Sequence, residues 1–155
     1  MNSIHPGLTG HPVEILLVED NLGDIRLTLE ALKDSKVHNT VHVVTDGLAA
    51  LAFLRRQGVY EAVPRPDLIL LDLNLPGKDG REVLAELKTS DELQDIPVLV
   101  LTASRADRDL LQSYELQVDG YLIKPIDLEQ LVELVRTFAD FWLWVIRVPA
   151  AAGAR

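Results

Sequence analysis

The chain predicts an α/β fold, a parallel sheet with helices on both faces, and two observations carry that expectation. Short, mostly apolar strand candidates alternate with segments of helical period five times over, the pattern of parallel strands joined by crossover helices. The clearest strand lies in Leu68 to Gly80 (LILLDLNLPGKDG), where four apolar residues run straight into Asp72 and the chain then turns at Pro76-Gly77 and Asp79-Gly80. A consecutive apolar run bounded by turn signals suits a strand buried on both faces.

Taken in order, residues 1–12 contain Pro6, Gly7, Gly10 and Pro12 and read as a flexible leader, 13–146 as one folded unit with an extended last helix, and 147–155 as a frayed tail. Val13 to Val18 (VEILLV) is the first strand, ending at Glu19-Asp20. From Leu22 the period becomes helical, with Leu22, Ile25, Leu29 and Leu32 on one stripe and Lys33 and Lys36 suited to the last turn. Val41 to Thr45 is β-branched and reads as the second strand. Asp46 can cap the next helix, whose inner face is read as Leu48, Leu51 and Ala52 and which gives way near Gly58. Pro64 and Pro66 keep the approach to the third strand, Leu68 to Leu71, extended.

A helix from about Arg81 to Lys88 turns Val83, Leu84 and Leu87 inward, and Pro97 opens a fourth strand, VLVL, that ends at Thr102. A shorter helix is expected over roughly 106–116, with Leu110, Leu111 and Tyr114 buried. Gly120 to Ile123 is a short fifth strand ending at Lys124-Pro125. Asp127 and Gln130 have capping-box spacing for the last helix, whose stripe is Leu128, Leu131, Val132, Val135 and Phe138.

Composition narrows the function. The 155 residues suit one domain, and 48% hydrophobic with 25% charged residues is ordinary for a soluble globular protein. With no cysteine there are no disulfides, thiol nucleophiles or thiolate metal sites, which fits a reducing compartment. The amino terminus lacks the pattern of a signal peptide, and no apolar run reaches the roughly 18 residues of a membrane span. The expected location is the cytoplasm. A net charge of -9, from 24 acidic and 15 basic residues, opposes binding to nucleic acid.

In an open parallel sheet, ligands bind beyond the carboxyl ends of the strands. The residues that follow the strands are Glu19 and Asp20, then Asp72, Thr102 and Lys124. Each has a bland alternative: the acid pair could start a helix, the threonine could serve a turn, and the lysine could be a surface charge. The fold nevertheless carries all five to one edge. Clustered acids must hold protons or bind a cation, and hard oxygen donors without His or Cys suit Mg²⁺ or Ca²⁺. Asp72 can then accept a phosphoryl group, with Mg²⁺ and Lys124 supplying positive charge and Thr102 a hydrogen bond. His5, His11, His38 and His42 fall away from this edge.

At these residues the sequence resembles the receiver domain of two-component response regulators. The matching segments are ILLVEDN at 15–21, LILLDLNLPGKDG at 68–80, LTAS at 101–104 and YLIKP at 121–125. The resemblance implies a flavodoxin-like (βα)5 receiver fold with strand order 2-1-3-4-5, which periodicity alone does not supply. It also implies that Asp72 is the phosphoacceptor, that Asp20, Asp72 and the backbone carbonyl of Asn74 bind Mg²⁺, and that Glu19 assists through a metal-bound water. By the same likeness Thr102 and Lys124 contact the phosphoryl group and Tyr121 is an aromatic switch. The resemblance further implies that Asn74 and Ser104 tune dephosphorylation and that the Lys124-Pro125 bond is cis.

Such a chain is a signalling protein and not a metabolic enzyme, able to take phosphate from small donors and to lose it unaided. Its donor is a phosphohistidine on a partner histidine kinase, and no small-molecule cofactor is implied beyond the metal and the phosphodonor. A closer likeness is to stand-alone regulators serving bacterial and cyanobacterial phytochrome kinases, carried by residues 46–88, SYEL at 113–116 and FWL at 141–143. With little chain after the last helix, output is expected through protein contacts. Three alternatives remain open at this point. An Asp-nucleophile phosphatase would carry a second acid where Asn74 stands. A flavin-binding domain of similar topology would want a Ser/Thr/Gly-rich loop in place of Glu19, Asp20 and Asn21. A receiver could also serve an unrelated sensor kinase.

Phe141, Trp142, Leu143, Trp144, Val145 and Ile146 are consecutive apolar residues beyond the stripe a monomer needs. They could fold back on the core of their own chain. An exposed patch of this kind more often marks an interface, and Trp and Phe are favoured anchors. The resemblance points the same way, and a symmetric homodimer through Phe138, Phe141, Trp142 and Trp144 is expected. Light scattering at micromolar concentration should give the dimer mass, and a monomer with and without phosphorylation would contradict it.

Overall fold

Alternation along each strand decides which side chain meets which helix. A computed structural model of the chain describes residues 12–103 and 118–137. Its elements are β1 (Val13–Val18), α1 (Leu22–Asp34), β2 (Asn39–Val44), α2 (Gly47–Leu54), a 3₁₀ turn at Gly58–Tyr60, β3 (Leu68–Asp72), α3 (Gly80–Thr89), β4 (Val98–Thr102) and β5 (Gly120–Ile123). A last helical segment covers 128–137. The helix expected over 106–116, Ser104, and the interface residues Phe138, Phe141, Trp142 and Trp144 lie outside the described residues.

The strands form one parallel sheet in the order β2-β1-β3-β4-β5, as the resemblance implies. Ile15 and Leu17 of β1, Leu68 and Leu70 of β3 and Leu99 and Leu101 of β4 pack with Ile25 and Leu32 of α1 and with Leu131 and Val135 of the last segment. The intervening residues Leu16, Val18, Ile69, Leu71, Val98 and Val100 pack on the other face with Ala50 and Leu51 of α2 and Val83, Leu84 and Leu87 of α3. Both faces are thus covered, and β3 and β4 are buried along their whole length. Among the described residues, no helix is long and apolar enough to cross a membrane.

Caps set the helix starts. Asn21 accepts from the Asp24 N–H, Asp46 from the Ala49 N–H, and Asp127 from the Glu129 and Gln130 N–H groups. The full capping box lies at α3, where the Asp79 side chain and Glu82 satisfy each other's backbone.

The inward assignment of Leu48 is corrected, and Leu22, the first residue of the α1 stripe, is also exposed. Leu22 is 76% and Leu48 63% exposed. Leu22 opens α1 at the carboxyl edge of the sheet, beyond the strand side chains on which it could pack. In α2 (GLAALAFL) nearly every position is apolar, so periodicity cannot orient the helix. Contact orients it instead: Gly47 faces inward, and a Cβ there would lie 2.1 Å from the Lys78 carbonyl oxygen.

Leu84→Ala should cost about 2–5 kcal/mol, since it opens a cavity in a fully buried site. Leu48→Ala should stay within about 0.5 kcal/mol. Urea unfolding monitored by far-UV circular dichroism distinguishes the two.

Candidate functional site

The sheet register brings the polar residues to one edge. Asp72 closes β3 opposite Leu101, Thr102 closes β4 opposite Ile123, and Lys124 follows, donating its N–H to the Thr102 carbonyl at 2.8 Å. Glu19 extends β1 by one residue, its N–H bonded to the Val44 carbonyl. By alternation Glu19 and Asp72 continue the rows Ile15–Leu17 and Leu68–Leu70, which face α1, whereas Thr102 continues the row of Val98 and Val100 on the other face. Tyr121 packs, half-buried, on that second face.

The centre of the site is an ammonium surrounded by carboxylates. Lys124 Nζ lies 2.8 Å from Glu19 Oε1, 2.9 Å from Asp24 Oδ2 and 3.2 Å from Asp72 Oδ2. Glu19, Asp72 and Thr102 are all buried, at 1%, 2% and 0% exposure, whereas Asp20 is open to solvent. Burial pushes the Glu19 carboxyl up to about 7, and its hydrogen bond to Asp72 adds to the rise while Lys124 opposes it. Burial also works against the Lys124 charge. Its bonds to Glu19 and Asp24 and the negative charge of Asp72 and Glu19 outweigh that and raise it above the ordinary lysine value.

Short backbone contacts hold the acids in place. Asp72 Oδ1 accepts the Asn74 N–H at 2.9 Å, and Glu19 Oε2 accepts the Asn21 N–H at 3.2 Å. Gly80 brings the start of α3 against the strand end, where a Cβ would lie 2.4 Å from the Asp72 carbonyl oxygen and 2.6 Å from the Leu73 Cα. Between them the chain turns at Gly77, with φ of +68°. Lys78 of this loop pairs with Glu86 on α3, which also binds Arg55 at the end of α2. The Lys124-Pro125 peptide is cis, in agreement with the expectation.

Glu19, Asp20, Asp72, Thr102 and Lys124 therefore meet at one edge, and Asn74 touches Asp72 through its backbone. Ser104 is outside the described residues. His42 instead pairs with Glu14 at 2.8 Å, His38 is exposed on the way into β2, and His5 and His11 are not described. Asp24 was not among the residues expected here. Its only mark in the sequence is an acid in the first turn of a helix, which reads as a response to the helix dipole.

Oxygen atoms of Glu19, Asp20 and Asp72 lie within 4.8 Å of one another. All donors are carboxylates, so the group fits a hard divalent cation. A cation there would neutralise charge that Lys124 alone cannot.

The raised Glu19 value has a defined sign. A folded-state value above 4.5 means that the proton on Glu19 favours the folded state below about pH 4.5, and that this contribution fades as pH rises through about 7. In cation-free buffer, the melting temperature should fall between pH 5 and pH 8 by more in the parent chain than in Glu19→Gln. The difference corresponds to at most a few kcal/mol, at about 1.4 kcal/mol per pH unit. Equal slopes in differential scanning calorimetry would rule it out.

Residues 15–136 match the family described as the response regulator receiver domain. The chain is 53% identical over 140 residues to the response regulator Rcp1 of Synechocystis sp., covering 90% of this chain and 95% of Rcp1. The crystal structure of the Mn(2+)-bound form of Rcp1 superposes with a TM-score of 0.72 at 54% identity, covering 85% of this chain and 95% of that one. The phosphorylated cyanobacterial phytochrome response regulator RcpA gives a TM-score of 0.73 at 51% identity, covering 86% and 95%. These likenesses bear out both the broad resemblance and the narrower one to regulators of phytochrome systems. Sequence, strand order and acidic edge agree, and the chain belongs to the response regulator receiver domain family.

Proposed function

We propose that this chain is a phosphorylation-dependent signalling regulator in which Asp72 accepts a phosphoryl group from a partner histidine kinase, with Mg²⁺ in the acidic cluster. The observation that carries the reading is the buried Asp72 carboxylate held beside Lys124, with Glu19 and Asp20 in reach. Asp72, Asp20 and the Asn74 carbonyl would hold the cation, with Glu19 assisting through a water. The cation, when bound, supplies positive charge against the phosphoryl oxygens.

An Asp72 oxygen attacks the phosphorus of the donor. The bond from phosphorus to the leaving group breaks as the acyl phosphate bond forms, and the leaving group departs as acetate from acetyl phosphate or as imidazole from a phosphohistidine. Lys124 offers an ammonium to an equatorial oxygen, and Thr102 offers its hydroxyl. Tyr121, on the same sheet face as Thr102, is suited to report the change. By the family resemblance, Asn74 and Ser104 would tune how quickly water removes the phosphoryl group. The likeness to Rcp1 and to the phytochrome response regulator RcpA supports a phytochrome kinase as the donor; a cytoplasmic setting and the homodimer whose test is given above are part of the same proposal.

With Mg²⁺ and acetyl phosphate, the chain should gain one acid-stable, base-labile phosphoryl group, seen as a mass increase and absent in Asp72→Asn. Removal of divalent cations by a chelator should abolish uptake. Turnover of many phosphate esters would point to a phosphatase instead. In a side-by-side transfer assay against several histidine kinases, a phytochrome kinase should be the fastest donor; if it is no faster than the rest, the narrower partnership fails.

A further inference from the structure

Asp24 has no part in that mechanism, yet it touches one of its working groups. Its Oδ2 lies 2.9 Å from Lys124 Nζ, a distance comparable to the 2.8 Å from Glu19 and shorter than the 3.2 Å from Asp72. The contact follows from the fold. α1 begins three residues after Glu19 and covers the face toward which Glu19 and Asp72 point, so its first turn hangs over the ammonium. Asn21 fixes the Asp24 backbone N–H at 2.8 Å and leaves the Asp24 carboxylate to Lys124.

An ammonium has three donors, and here three carboxylates stand around it. A phosphoryl oxygen that comes to Lys124 must displace one of them. Glu19 and Asp72 are poor candidates, because their side chains are 1% and 3% exposed and their second oxygens are held by the Asn21 and Asn74 N–H groups, so neither can swing out into water. The Asp24 side chain is 34% exposed, lies outside the cation cluster of Glu19, Asp20 and Asp72, and can be rehydrated at once.

We propose that Asp24 is a positioning residue of the phosphoryl site: its carboxylate competes with the incoming phosphoryl group for the Lys124 ammonium and so sets how tightly the site takes a phosphodonor. The inference rests on the phosphoacceptor reading of Asp72 and deepens it. When the donor is absent Asp24 holds Lys124 at the mouth of the site, and when the donor binds Asp24 returns to water.

The test is a saturation series of phosphorylation rate against acetyl phosphate with Mg²⁺ in excess, run on the full chain. Asp24→Asn should lower the half-saturating concentration by about three- to tenfold, as expected when a charged competitor for one ammonium is removed. The maximal rate should change by less than about twofold, because Lys124 and the cation remain. Asp24→Glu, which keeps the charge, should stay near the parent value. Glu30→Gln, an equal change of net charge on the exposed side of the same helix, should have no effect. Titration with beryllofluoride and Mg²⁺ should show the same order of affinities without any chemical step. An unchanged or raised half-saturation in Asp24→Asn would overturn the proposal, as would an equal gain in Glu30→Gln or Asn-like behaviour of Asp24→Glu. No phosphoryl uptake by the parent chain would instead overturn the reading of Asp72, and this inference with it.

Discussion

Two carboxylates, those of Glu19 and Asp72, lie beneath the surface at the carboxyl edge of the sheet, and the Lys124 ammonium joins them. Burying one ionised acid is costly, and burying two side by side is worse unless positive charge is supplied. Lys124 supplies part of it. The remainder leaves Glu19 with a raised affinity for protons and leaves the cluster with Asp20 receptive to a cation. The chain thus tolerates in one place an electrostatic stress that the apolar sheet around it is able to hold.

That tolerance depends on rigid surroundings. The two acids are fixed at strand ends in the middle of the sheet, where β1 and β3 are neighbours, and Lys124 arrives from the far edge on the strand that follows β4. Backbone N–H groups from Asn21 and Asn74 hold the second oxygen of each carboxylate. Gly80 allows α3 to start against Asp72 with no side chain between. The loop that links β3 to α3 is tied from outside by Lys78 to Glu86, which binds Arg55 as well. Such exposed pairs contribute little stability one by one, but they give the loop beside Asp72 a single path.

The distribution of side chains over the two sheet faces divides the labour. Glu19, Asp72 and Lys124 lie on the α1 side, where Asp24 also stands, and Thr102 and Tyr121 fall in the rows of the opposite face. A group that gathers around Asp72 can therefore engage both faces at once: the lysine and acids from one, the hydroxyl and aromatic ring from the other. The period-two geometry of two adjacent strands is enough to produce that separation.

The sequence by itself determined the strands, the sheet edge and most of the site. β3 and β4 begin where their apolar runs do, because a parallel strand buried on both faces leaves an unbroken signature. Glu19, Asp72, Thr102 and Lys124 were legible because each follows directly on such a run, and a parallel sheet gathers strand ends without further information. Tertiary structure alone decided three things. It set the rotation of α2, since an almost wholly apolar helix has no polar face to betray its orientation and only the contact of Gly47 with the Lys78 carbonyl resolves it. It left Leu22 exposed, because periodicity does not tell where the underlying sheet stops. It also brought Asp24 to Lys124, residues a hundred positions apart, because a distance between side chains on different elements is a property of packing and has no trace in the local pattern of either.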